Sequence, residues 1–101
     1  MVGAMKTATL IKDSLEGYNG HAAHYLLSPG IEYERWTTDG AVTEIAEHVI
    51  VSAVDVPFSG PETLVFSGTP EGEILYYFEL AAFLGELNHR KPLEALGYEI
   101  R

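Results

Sequence analysis

The sequence predicts an α+β fold that is mostly β: five to six antiparallel strands in a bent sheet or partly open small barrel, with one short C-terminal helix. Three observations carry this. The apolar runs EHVIVSAVDV, ETLVFS and EILYYFEL are cut apart by PFSGP and GTPEG, and β-branched and aromatic runs punctuated by Pro and Gly read as consecutive antiparallel strands. The last run alternates, with Ile74, Tyr76, Phe78 and Leu80 on one face and Glu73, Leu75, Tyr77 and Glu79 on the other, as successive strand side chains must. His48 to Val56 is apolar on both faces apart from Ser52 and Asp55, the pattern of a central strand covered on both sides. A mixed α+β fold with fewer strands is the alternative.

Taken in order, Lys6 to Lys12 (KTATLIK) reads as a first strand. Asp13 and Glu16 have capping-box spacing, but Gly17 and Gly20 would stop a helix after one turn, so DSLEGYNG reads as a turn. His21 to Leu27 reads as a second strand, ended by a reversal at Ser28-Pro29-Gly30. Ile31 to Thr37 alternates and reads as a further, edge strand, followed by a hairpin turn at Thr38-Asp39-Gly40. Ala41 to Glu47 has a composition suited to a short helix yet leads straight into the central strand, and is read as extended. Parity through a turn at Gly68 to Gly72 sets Phe66 opposite Ile74, Leu64 opposite Tyr76 and Val54 opposite Leu64. Phe83 to Leu87 reads as a connecting loop. Asn88 can cap a helix through Leu96, with Pro92 tolerated in its first turn and Gly97 as a left-handed stop. Tyr98 to Arg101 suits a last short strand.

With 101 residues, the chain reads as a single domain over residues 5–101, Met5 being a candidate natural start, and such a length can bury a core without metal or disulfide. The absence of cysteine excludes disulfides, thiolate metal sites and a cysteine nucleophile. No apolar run reaches the roughly 18 residues of a membrane span, and the start lacks a secretory pattern. The expectation is a cytoplasmic protein with no membrane partner. The net charge is −9, and between Lys12 and Arg90 the only Lys or Arg is Arg35. That field repels phosphate backbones, so direct nucleic-acid binding is disfavoured while basic partners are attracted.

The strings TATLIKDSLEGYNGHAA, VSAVDVPFSGPET and LGYEI resemble small uncharacterised proteins of actinobacterial and phage-type genomes. The resemblance covers about half the chain and carries no site residues; it implies a mobile-element or accessory role.

Chemistry-bearing patterns are sparse. His21 and His24, three apart on a strand, point to opposite faces and suit no common metal, so no metal and no cofactor are expected. Ser52, Ser59 and Ser67 lack a nucleophile elbow, and His48 and Asp55 lie about 23 Å apart along a strand by strand rise. No catalytic residue is assigned, and the chain is not expected to be an enzyme. The candidate binding residues are Tyr18 and Phe58, each in a Gly- or Pro-bounded turn, Trp36 and Tyr77 on strands, and the acids Glu32 and Glu34. Rigid aromatics make efficient anchors. The leading expectation is a non-enzymatic protein-interaction module whose half-apolar face of Leu75, Tyr77 and Trp36 binds another protein chain, either a separate protein partner or a second copy in a homodimer. The alternative is an acidic mimic in which Glu32, Glu34, Asp39, Glu44 and Glu47 imitate a phosphate array. A small-ligand or hydrolytic site near His24 and His48 is the third.

Overall fold

The computed structural model describes residues 6–13, 21–56, 60–85 and 87–101. The β-branched and aromatic runs form β1 (Thr7–Lys12), β2 (His21–Thr37), β3 (Gly40–Val56), β4 (Gly60–Gly68) and β5 (Ile74–Leu84), followed by α1 (Arg90–Ala95) and β6 (Glu99–Ile100). They make one sheet of six strands in the order β5-β4-β3-β2-β1-β6. Its neighbours are antiparallel except for β1 and β6, which run parallel. The fold is mostly β with one short C-terminal helix, as expected from the sequence, and of the two expected forms the sheet is the bent one that does not close.

Its curvature is visible across four strands. Tyr33 of β2 meets Tyr76 of β5 edge-on at 6.5 Å between ring centroids, whereas a flat sheet would hold these strands about 14 Å apart, three strand spacings. The β2–β3 hairpin therefore folds over the face that carries the core. That face gathers Ala8, Ala23, Tyr25, Leu27, Val49, Val51 and Val65, with Leu93 and Tyr98 from the C-terminal segment. The opposite face of the centre is covered as well, since Ala22, Ile50 and Ser52 are buried. The doubly covered central strand is thus β3, between β2 and β4.

Ser28-Pro29-Gly30 does not reverse the chain, and the two strands expected on either side of it are one strand of 17 residues. The pairing with β3 instead slips between Leu26 and Ile31. Ser28 is the last residue of β2 opposite β1, so Pro29, which has no N–H to donate, falls where a ladder partner has run out. Gly30 is required by close approach: a Cβ there would lie 2.6 Å from the Ala46 carbonyl oxygen and 2.7 Å from Ile45 Cγ2. Punctuation that usually marks a turn here marks a bulge.

The β4–β5 register also departs from simple parity. Ile74 opposes Gly68, Phe66 opposes Glu79 and Leu64 opposes Ala82, while Val54 opposes Glu62. Between the Gly68–Ile74 and Phe66–Glu79 pairs β5 advances further than β4, and such extra residues reset the facing of everything beyond them. Phe83 and Leu84, expected in a loop, extend β5, and the strand is closed by the Gly85 N–H donating to the Pro61 carbonyl at 2.8 Å. Ala41 to Glu47 is extended, inside β3.

The helix follows its signals with the start one residue later than expected, His89 and not Asn88 being the N-cap residue of α1. Asn88 Oδ1 accepts the Arg90 N–H at 3.0 Å, Pro92 sits in the first turn, and Gly97 has φ +92°. Gly97 and Tyr98 donate to the Glu94 and Leu93 carbonyls, the paired bonds of a Schellman stop. Leu93, fully buried, seats the helix in the core, where α1 touches β4, β5 and β6. Thr63 Oγ1 accepts the Asn88 N–H at 3.0 Å, tying its start to β4. The helix thereby plugs the opening between the two ends of the sheet.

Candidate functional site

The two faces of the β2–β3 hairpin tip divide the residues of interest. Ile31, Tyr33 and Arg35 are half-buried, while Glu32, Glu34 and Trp36 are exposed. Glu44 of the inner face takes the Tyr33 hydroxyl at 2.9 Å, and the Arg35 guanidinium at 3.1 and 3.0 Å in a two-pronged pair. Arg35 in turn lies over the Tyr76 ring at 4.9 Å. The Arg35 and Tyr33 hydrogen bonds hold the Glu44 carboxyl below its ordinary range, and burial, with the bond to Glu44, pushes the Tyr33 phenol up. This cluster pins the hairpin onto β5. It also takes Glu44 out of the acidic array, since its charge is spent on Arg35 and its side chain faces inward.

The outer face is different. Glu32 opposes Ile45, Glu34 opposes Thr43 and Trp36 opposes Ala41, and all six are exposed. Trp36 is 78% exposed and Ile45 62%. Among the described residues, neither Glu32 nor Glu34 makes an ion pair. Three of the residues picked from the sequence, Glu32, Glu34 and Trp36, thus come together on one ribbon, with Asp39 exposed at its tip. Tyr18 and Phe58 lie outside the described residues, as does the side chain of Tyr77; Leu75 is half-exposed on β5. Ile45 is the member that residue-by-residue reading missed. It could have been found by folding GAVTEIAE back across a two-residue turn at Thr38-Asp39, which sets it opposite Glu32.

The backbone adds a second property. The turn leaves only Thr38 and Asp39 between the paired Thr37 and Gly40, so that closing pair must exchange backbone hydrogen bonds, and in an antiparallel ladder every second pair then does so. The bonded pairs are Thr37–Gly40, Arg35–Val42, Tyr33–Glu44 and Ile31–Ala46. The N–H and C=O groups of Glu32, Glu34 and Trp36 accordingly point away from β3. No strand among the described residues pairs with that edge, because β1 leaves β2 at Ser28.

Further along the β2–β3 ladder, away from the hairpin tip, His24 and His48 do meet. They are diagonal neighbours, His24 opposite Ile50 and Leu26 opposite His48, with Nε2 of His24 and Nδ1 of His48 2.8 Å apart. Burial first, then the neighbouring imidazole, lowers the His24 pKa. An N–H of one imidazole donated to the bare nitrogen of the other satisfies this geometry. Among the described residues no three His, Asp or Glu side chains converge as a metal-binding group, and no helix is long and apolar enough to cross a membrane.

Comparison of the chain with protein-family models, with curated proteins and with solved structures gives no match. The functional reading therefore rests on the geometry above.

Proposed function

We propose that this chain is a small acidic interaction module whose work is binding rather than catalysis, and that it docks a protein partner on the outer face of the β2–β3 hairpin. The observation that carries the reading is Trp36: the only tryptophan of the chain stands 78% exposed on a strand, opposite exposed Ala41 and in line with Glu34 and Glu32, with exposed Ile45 opposite Glu32 further along the same face. Tryptophan is among the residue types enriched at binding hot spots, where a large side chain can be covered by a partner. The flanking acids, in a chain of net charge −9, favour a basic partner. The inner-face cluster of Tyr33, Glu44, Arg35 and Tyr76 holds the ribbon in place, which lowers the ordering cost of binding.

The same charges weigh against self-association on this face, where acids would meet acids. The β5 edge supports a second reading, a homodimer, because Leu75 and Leu84 are exposed there. The phosphate-mimic reading is supported less, since Glu44 is turned inward.

The test is a cross-linking amino acid placed at Thr43, beside Trp36, to capture a partner from the native host, followed by affinity measurement with the purified partner. Trp36→Ala is expected to weaken binding at least about tenfold with unchanged far-ultraviolet dichroism. A partner that binds the Ala variant as tightly overturns the reading. Sedimentation velocity separates the homodimer: concentration-dependent association removed by Leu84→Lys and kept by Trp36→Ala would identify β5 instead.

A further inference from the structure

We infer that the outer edge of β2 from Ile31 to Thr37 is a strand-addition site for an extended, basic segment of a partner protein. The inference deepens the proposed function and rests on it. Two features of the same three residues lead to it. Their side chains, Glu32, Glu34 and Trp36, share the exposed outer face, and their backbone N–H and C=O groups are those that the ladder with β3 leaves pointing outward. An unpaired edge is a template for another strand, and β-augmentation takes affinity from main-chain bonds and specificity from alternate side chains.

Charge selects the occupant. A strand added here sets its own outward side chains directly opposite Glu32, Glu34 and Trp36, at the spacing where opposite charges attract and like charges repel. The complementary segment carries Lys or Arg at two alternate positions and an apolar residue at the next one. A second copy of this chain meets the same criterion less well: antiparallel two-fold pairing centred on Glu34 sets Glu34 against Glu34, and pairing centred on Tyr33 sets Glu32 against Glu34. The edge thus favours a cation-bearing strand over itself. Natural edges are commonly protected by charge in this way.

The probe is a capped peptide, Thr-Val-Thr-Lys-Thr-Lys-Thr, added to the full chain, with two controls: Glu in place of both Lys, and the Lys peptide N-methylated at alternate amides. In the free protein the Glu32, Glu34 and Trp36 amides are expected to exchange rapidly with solvent by NMR. The Lys peptide should protect those three amides and blue-shift Trp36 emission, with affinity falling as salt rises. The Glu peptide should bind about tenfold more weakly, which is two cross-strand pairs turned from attractive to repulsive. Glu34→Lys should narrow or reverse that preference. Amides already protected in the free chain, or an N-methylated peptide that binds as well as its parent, overturn strand addition. In that second case a persisting Trp36 shift leaves the docking face standing. Loss of the docking face itself would show separately, as a captured partner indifferent to Trp36→Ala.

Discussion

His24 has only 2% of its surface in water, and its Nε2 meets another imidazole at 2.8 Å. Both circumstances disfavour a second charge, and burial is the larger cause of its lowered pKa. The unfolded chain, with an ordinary histidine near 6.5, takes up a proton that the folded chain refuses. Stability is therefore fully present above about pH 6.5 and falls as pH drops below it towards the folded value. Urea unfolding at about pH 7.5 and about 5.5 should show this loss, and His24→Leu should flatten the slope between them; an unchanged slope would mean that the pair does not control it. Glu44 acts further into acid. Its carboxyl is held low by Arg35 and Tyr33, so its contribution is present above the ordinary carboxylate range and disappears as pH falls through the depressed value. Tyr33→Phe should leave the Arg35 pair in place while raising the Glu44 pKa, readable from its side-chain carbon shift. Neither meeting could be read from spacing. His24 and His48 stand 24 residues apart, and only the strand pairing makes them diagonal neighbours.

At the scale of elements, local chemistry was legible wherever it acted alone. The α1 signals were all present: the Asn88 bond to Arg90 N–H, Pro92 in the first turn, and the left-handed Gly97. Gly97→Ala should cost about 1 kcal/mol in denaturant unfolding, since its φ of +92° and not crowding is the obstacle; the nearest atom to an added Cβ is Lys6 Cδ at 3.7 Å. A neutral effect would show that the turn relaxes. The hairpin at Thr38-Asp39 was legible for the same reason, with Gly40 at φ +115°. Where a signal has two physical outcomes, the sequence misled. Ser28-Pro29-Gly30 suits a reversal and a bulge equally, and the choice fell to the crossing of β2 over Ala46. Bulges in β5 likewise shifted Phe66 from Ile74 to Glu79, because parity counts residues and a bulge adds residues without advancing the partner.

Over the whole molecule, one short helix does work out of proportion to its length. A sheet that bends but does not close leaves a gap between β5 and β6, and α1 fills it with a fully buried Leu93 among residues of β2, β3 and β4. Leu93→Ala should destabilise the protein by roughly 2–5 kcal/mol, with the chevron or equilibrium curve still a single transition; a loss below about 1 kcal/mol would show that the core is closed without the helix. The net charge of −9 acts at this scale as well. It favours encounters with basic partners over self-contact, and its influence fades with salt.

By itself the sequence determined the mostly β class, the central strand, the capped helix and the acidic exterior, because each depends on periodicity, on single-residue backbone preferences or on composition. The tertiary structure alone decided how far the sheet bends, which histidines touch, that Glu44 turns inward to Arg35, and that Glu32, Glu34 and Trp36 share one exposed edge. Those facts depend on register and curvature, and both are set by contacts between residues far apart in the chain.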